Sequence, residues 1–249
     1  PVLLAQKLAQ VQPERAGVVD LYSIEFAPYA DEDVFLREVT MVSKVMRSRF
    51  DSADRDIQLI NHANTLQQWP WATPMNLQRS IADIAQKMNP QEDILFLHLT
   101  SHGAKNGRLA ASFWPMDVED LTPALLKSWL QQAGVKYSVI SISACYSGSW
   151  LKPLADENTL VMSAADSEHT SYGCGSQSEL TFFGRAMYDE QLRTKTLSFE
   201  SAHAAARKII QQREIEAGKD DGYSNPQISV GAAIRQPLAQ LAARLKSMH

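Results

Sequence analysis

One histidine and one cysteine in this sequence stand where they could carry out nucleophilic catalysis together. His102 is followed by Gly103, and Cys145 comes 43 residues after the histidine. An imidazole can take the proton of a thiol or stabilise the thiolate, which then attacks a carbonyl carbon. The backbone N–H groups of Gly103 and Cys145 would be donors for the oxyanion that forms. The pair therefore predicts acyl transfer through a thioester.

Both residues come directly after segments that are predicted to be buried strands. Asp93–Thr100 is almost continuously apolar, which is typical of a central strand covered on both faces. Tyr137–Ala144 is the next predicted strand. In open α/β sheets, ligands bind beyond the carboxyl ends of the strands. We therefore expect His102 and Cys145 to meet at one edge of the sheet.

Strands and helices alternate along the whole chain. The patterns predict strands at 18–24, 57–60, 93–100, 137–144, 159–164 and 227–230, and helices at 31–50, 73–88, 122–134, 180–192, 198–217 and 237–249. This alternation indicates an α/β fold with a mostly parallel central sheet and helices on both faces. Because no linker, repeat or low-complexity stretch divides the chain, we expect one domain over residues 1–249, with its core at about 18–230.

Composition excludes several classes of protein. The 249 residues carry 24 Lys and Arg against 28 Asp and Glu, a net charge of −4, and a general nucleic-acid binder would need a basic surface. Uninterrupted apolar runs never exceed four residues, far short of a membrane-spanning helix. The two cysteines are too few for a disulfide framework or a four-cysteine zinc site. The chain begins at Pro1 without a methionine, which predicts a trimmed form and leaves a removed anchor open.

Four short stretches resemble the legumain family of cysteine peptidases, which has the caspase-type fold. Leu97–Gly103 and Ser143–Ser149 match the two motifs that carry its histidine and cysteine, and the spacing between them is close to that of caspases. Ala164–Asp166 and Ser171–Cys174 are similar to the family's segment downstream of the nucleophile. The resemblance covers Val18–Val230 and is closest to bacterial members.

The resemblance implies a caspase-like three-layer sandwich and a cysteine endopeptidase acting on a protein or peptide. In this interpretation Cys145 is the nucleophile, His102 is the base, and Gly103 and Cys145 form the oxyanion hole, with no cofactor and no metal. The oligomeric state stays open. Bacterial relatives are often attached to a membrane, so the chain is expected in the cell envelope through a removed N-terminal anchor, or otherwise in the cytoplasm.

The specificity pocket departs from the asparagine-specific members of that family. Ser143 and Arg185 stand where those members have acidic residues, and no arginine lies between Val18 and Leu36 to supply their pocket arginine. Ser143, Thr170 and Arg185 are the candidate substrate-binding residues. If Arg185 points into the pocket, an acidic or amide side chain would suit it at P1, the substrate residue before the cleaved bond.

Other residues could take parts of this role. His169 and His203 follow the cysteine, as the base does in papain-like enzymes, and Glu25 or Asp31 could orient the imidazole. Cys174 could be structural or have a redox or processing role. Two alternative functions remain open: a transamidase or peptide ligase that uses the same two residues, and a non-catalytic binding module that keeps the fold.

Overall fold

The computed structural model describes residues 2–248 and contains one six-stranded sheet. The strand order is β2-β1-β3-β4-β5-β6; the first five strands are parallel, and β6 runs antiparallel to β5. The strands are β1 Leu21–Ala27, β2 Asp56–Ile60, β3 Ile94–Thr100, β4 Tyr137–Ser143, β5 Thr159–Ser163 and β6 Gln227–Val230. The mostly parallel sheet predicted from the sequence is confirmed.

Helices cover both faces of this sheet. They are α1 Val2–Gln10, α2 Asp33–Arg49, α3 Pro74–Lys87, α4 Pro123–Ala133, α5 Leu151–Leu154, α6 Phe182–Gly184, α7 Phe199–Glu216 and α8 Arg235–Met248, and a π-helix over Arg185–Leu192 continues α6. One apolar core lies between the sheet and α1, α3, α4 and α5. A second core joins the opposite face to α2, α7, α8 and the π-helix. The molecule is therefore a three-layer sandwich.

Local sequence signals explain where the elements begin and end. All seven residues of β1, β3 and β4 are buried, as expected for central strands with helices on both faces. Thr122 accepts a hydrogen bond from a backbone N–H at the start of α4, and Gly134 ends that helix in the left-handed conformation. These signals fix the long connection that leads from β3 back into β4.

Several predicted boundaries are corrected by the structure. Helix α1 was not predicted; its buried Leu4 and Leu8 pack on the core beside α3. β1 begins at Leu21 rather than Val18, because Asp20 is engaged with the backbone N–H and guanidinium of Arg15. The predicted terminal helix begins earlier, at Arg235, and His249 and Pro1 lie outside the described residues.

No helix in the described part of the chain, residues 2–248, is long and apolar enough to cross a membrane.

Candidate active site

Neighbouring strands bring His102 and Cys145 to the same edge of the sheet. β3 and β4 pair in parallel, with Thr100 beside Ser143, so each of the two residues lies two positions beyond its strand. Gly103, next to the histidine, lies so close to Cys145 that a Cβ on it would overlap the Cys145 carbonyl oxygen. The predicted meeting of the two strand ends is therefore confirmed.

The imidazole of His102 is held from three sides. Its Nε2 lies 3.2 Å from Oε1 of Glu32, and the rings of Tyr29 and Phe35 contact it edge-on, with centroids 4.6 and 5.1 Å away. Glu32 directly precedes α2, but its side chain does not cap that helix. Because Glu32 occupies Nε2, the other nitrogen, Nδ1, is left for proton exchange with a thiol or a substrate.

Glu25 and Asp31, the carboxylates that could have oriented the imidazole, do not bond to it, and Glu32 takes this position instead. Glu25 is fully buried and accepts a hydrogen bond from the hydroxyl of Ser23. Asp31 accepts a hydrogen bond from Ser112 at 2.6 Å. The acidic cluster before α2 was the correct region of the sequence, but only the folded backbone decides which of its carboxylates faces the imidazole.

Cys145 is a half-buried free thiol at a turn of unusual backbone. Its Sγ lies 3.6 Å from Oγ and 3.7 Å from the carbonyl oxygen of Ser171. Tyr146, the next residue, has a φ of 55°, a conformation that costs free energy in a residue with a side chain and is concentrated at functional sites. The chain after the cysteine forms only a 3-10 turn, Ser147–Trp150, followed by the four-residue α5, so a long helix dipole does not act on this thiol.

The surroundings of Cys145 favour its thiolate. The pKa of Cys145 is lowered to about 6, chiefly by the side chain of Cys174, against an opposing effect of burial. Hydrogen bonds from Ser171 and the charge of His102 lower it further. The pKa of Cys174 is raised, chiefly by the side chain of Cys145 and then by the burial of Cys174 itself. A thiolate at neutral pH is the form that attacks a carbonyl carbon.

Gly103 is required by the close approach of the two strand ends. A Cβ at this position would overlap the carbonyl oxygen of Cys145 and come within 3.1 Å of the Cβ of Ala144. Within residues 2–248, neither the Gly103 nor the Cys145 backbone N–H donates a hydrogen bond to another protein group. Both N–H groups can therefore accept a further partner, and their use as an oxyanion hole stays a prediction.

The three candidate substrate-binding residues have different surroundings. Ser143 is only 2% exposed, and its hydroxyl lies 3.3 Å from that of Thr181. The hydroxyl and the N–H of Thr170 both donate to Asp221. Arg185 is half-exposed and pairs with Glu179 at 3.2 Å. Of the three, Thr170 and Arg185 have surface open to a ligand.

Sequence reasoning missed a buried polar network behind the site. Glu38, inside α2, is fully buried, and its carboxylate accepts hydrogen bonds from His98 at 2.9 Å and from Thr181. His98 also contacts Oγ of Ser141 at 3.1 Å, so both of its ring nitrogens are engaged within the buried network. Burial alone would raise the pKa of Glu38, but the hydrogen bonds and charge of its partners hold it below the usual range.

His169 and His203, which follow the cysteine in the sequence, have other surroundings. His169 is bound through Nδ1 to the carboxylate of Asp166 at 2.9 Å, and its carbonyl oxygen accepts the Tyr146 N–H. His203 is buried on α7, and burial lowers its pKa to about 4. Among the described residues, no group of three or more His, Cys, Asp or Glu is arranged to hold a metal ion.

A parallel sheet between helical layers, with a histidine and a cysteine beyond its central strands, defines the class of caspase-like proteins. Caspase-1 from Spodoptera frugiperda is similar at a TM-score of 0.61 and 14% identity, with 88% of each chain covered. A structure of pro-sf-caspase-1 gives a TM-score of 0.58 and 12% identity, covering 85% of this chain and 91% of that chain. At these identities the likeness shows the fold, and it confirms the caspase-like prediction.

The sequence gives the narrower assignment. The model of the Peptidase C13 family matches residues 80–232, so the chain belongs to this family, and the predicted resemblance to legumains is confirmed. No curated protein matches the chain in sequence. Family and fold together make the protein a cysteine peptidase of the caspase and legumain kind. Its bacterial origin stays a prediction.

Proposed function

We propose that the protein is a cysteine endopeptidase in which Cys145 and His102 form the catalytic dyad. The observation that carries the proposal is their placement beyond paired, parallel strands, where the thiol has a lowered pKa. A half-buried thiolate beside an imidazole is the arrangement that acyl transfer requires. The substrate is a protein or a peptide, and the reaction needs no group beyond this chain's own side chains and water.

The reaction proceeds in two steps. His102 takes the proton of Cys145, and the resulting thiolate attacks the scissile carbonyl carbon, while the oxyanion that forms is bound by the Gly103 and Cys145 N–H groups. As the C–N bond breaks, His102 gives a proton to the leaving amine, and a thioester remains on Cys145. His102 then takes a proton from water, which attacks the thioester and releases the acid and the free thiol.

Substrate recognition is proposed for the surface around Thr170 and Arg185. Among residues 2–248 the guanidinium of Arg185 pairs with the exposed Glu179 alone, so a substrate carboxylate or amide at P1 can replace that partner. Ser143 acts from behind the pocket through Thr181, because its own hydroxyl is buried.

The test of the dyad is the pH dependence of covalent labelling by a peptidyl thiol-reactive probe, read by intact mass and peptide mapping. We expect one adduct at Cys145, with a labelling rate that is high at neutral pH and falls as the pH drops through about 6, because the thiolate is lost there. In His102→Ala the rate at neutral pH falls and the midpoint moves to higher pH, because the imidazole charge no longer favours the thiolate.

Labelling of Cys145 with a midpoint near 8.5, the value of an ordinary thiol, would contradict an activated nucleophile. Labelling that is equal in the wild type and in His102→Ala would contradict the dyad. No labelling of Cys145 at any pH would favour the binding-module alternative.

Glu32 is proposed as the residue that positions the imidazole. Glu32→Gln removes the charge beside Nε2 of His102 while keeping the shape, so we expect kcat to fall about tenfold to a hundredfold with little change in KM. The magnitude is below that of a fully buried triad carboxylate, because Glu32 is partly exposed. Steady-state kinetics on a cleaved peptide measures both constants.

Asp31→Asn is the matched control for Glu32→Gln. It removes a carboxylate from the adjacent residue, which bonds Ser112 and not the imidazole, and should change kcat less than about twofold. A fall in kcat that is the same for both variants, or a rise in KM alone, would show that Glu32 does not act through His102.

A further inference from the structure

Both cysteines of the chain border the candidate active site. Both are free, half-buried thiols. Cys174 belongs to the Thr170–Leu180 loop and packs on the apolar cluster that includes Tyr29 and Phe35, the two rings that flank His102. Ser171 of the same loop contacts the Cys145 sulfur through its carbonyl oxygen and its hydroxyl. The loop that contacts the nucleophile therefore also carries the second thiol.

The two thiols differ in chemical character. Each is the neighbour with the largest effect on the other's pKa: Cys174 lowers that of Cys145, and Cys145 raises that of Cys174. Cys145 is therefore the thiolate of the pair, and Cys174 stays a protonated thiol beside it. Hydroperoxides oxidise thiolates, so an oxidant reacts with Cys145 first.

We infer that Cys145 and Cys174 are a reversible redox pair, in which Cys174 captures the oxidised nucleophile as an intramolecular disulfide. The inference rests on the proposed function only in that Cys145 is the nucleophile. While the disulfide exists, Cys145 cannot attack a substrate, and the peptidase is inactive.

The chemistry of the pair balances with hydrogen peroxide as the oxidant. The Cys145 thiolate takes one OH group of the peroxide as the O–O bond breaks and becomes a sulfenic acid, and hydroxide leaves. The Cys174 sulfur then attacks the Cys145 sulfur; the S–S bond forms, the S–O bond breaks, and the Cys174 proton and the OH group leave as water. A dithiol reductant reverses the bond by exchange and restores both thiols.

The loop around Cys174 allows the two sulfurs to join. Cys174 lies between two glycines. Gly173 has a φ of 84°, and a Cβ added to Gly175 would have no atom within 4 Å. Backbone on both sides of the thiol can therefore adjust to the narrow geometry of a disulfide. Farther along, Arg37 holds the loop by donating to the carbonyl oxygens of Ser178 and Glu179 at 2.7 and 3.0 Å. The adjustment is local.

The test compares the wild type with Cys174→Ser under hydrogen peroxide, with each protein's activity expressed relative to its own untreated sample. We expect the wild type to lose activity, to lose two hydrogens in intact mass, and to give a cross-linked peptide containing Cys145 and Cys174 on non-reducing digestion. Dithiothreitol should restore most of the activity. In Cys174→Ser the same treatment should drive Cys145 to the sulfinic acid, so that less than about a tenth of the activity returns.

Three results would overturn the inference: Cys174 that is still alkylatable in the oxidised wild type, a disulfide that joins two copies of the chain, or equal recovery of activity in both proteins. The mass measurement needs no turnover. An intramolecular disulfide in a protein without peptidase activity would therefore leave the redox pair standing and count against the proposed function alone.

Discussion

Replacing Cys145 by alanine is expected to lower kcat/KM for peptide cleavage by a factor of about 10⁴ or more, and His102→Ala by about 10³ or more. The first change removes the atom that forms the thioester. The second removes both the proton carrier and the charge that favours the Cys145 thiolate. The measurement is cleavage of a peptide library scanned at P1, with new termini identified by mass spectrometry. A nucleophilic amine added to the same assay separates hydrolysis from transfer, since a ligase would give an amine-linked product.

The double variant makes this prediction sharper. Residues that act in one step are not additive, so Cys145→Ala combined with His102→Ala should be about as inactive as Cys145→Ala alone. A further loss of about 10³ in the double variant would mean that His102 contributes to something other than the thiol chemistry. It would then belong to substrate binding or to the fold.

His169→Ala is the matched control for His102→Ala. This imidazole also has a carboxylate partner, Asp166, and lies in the segment that contacts the backbone after Cys145. Its side chain is directed to Asp166, so its loss should cost less than about tenfold in kcat/KM. If His169→Ala is as inactive as His102→Ala, the base is misassigned. If neither histidine matters while Cys145→Ala is inactive, the thiolate acts without a base from either loop.

The elements that position the dyad could be predicted from the sequence because they are buried and regular. The apolar run of β3 and the capped helix that precedes β4 each have a strong local signal. Two strands with a crossover helix between them pair in parallel, and their carboxyl ends meet. That reasoning places His102 beside Cys145 before any coordinate is known.

What the sequence could not predict depends on the paths of loops. The side chain of Glu32 contacts the imidazole, whereas that of the preceding residue, Asp31, bonds Ser112. The backbone conformation just before α2 decides which of these two neighbours contacts His102. The position of Cys174 depends on the path of the loop over residues 170–180, which Arg37 of α2 holds by donating to the carbonyl oxygens of Ser178 and Glu179. Loop paths are set by such side-chain contacts, which leave no periodic pattern in a sequence.

Glu38→Ala is expected to lower the free energy of unfolding by about 3–5 kcal/mol, because it leaves the buried partners of this carboxylate unpaired. His98 loses its contact with the Glu38 carboxylate at 2.9 Å, and the hydroxyl of Thr181 loses the carboxylate oxygen to which it donates. The Thr181 hydroxyl also lies 3.3 Å from that of Ser143, so Ser143 loses support as well. Gly184 has no room for a Cβ because the Glu38 carboxylate fills that space, so the variant also opens a cavity. Denaturant unfolding followed by circular dichroism measures the change.

The control for Glu38→Ala is Glu200→Ala, which breaks the ion pair with Arg235 on the surface and should cost less than about 1 kcal/mol. A similar cost for both variants would contradict a structural role for the buried network.

The pH dependence of stability separates the contribution of the Glu38 charge from that of its side-chain volume. Because the folded-state pKa of Glu38 lies below its unfolded value, the stability that ionisation contributes is present above the unfolded pKa and is lost as the pH falls through the folded one. The difference in the free energy of unfolding between the wild type and Glu38→Ala should therefore become smaller in acid. The difference that remains at low pH measures the cost of the cavity. A polar network behind a thiolate thus stabilises the fold while holding Thr181 and Ser143 in place beneath the substrate surface.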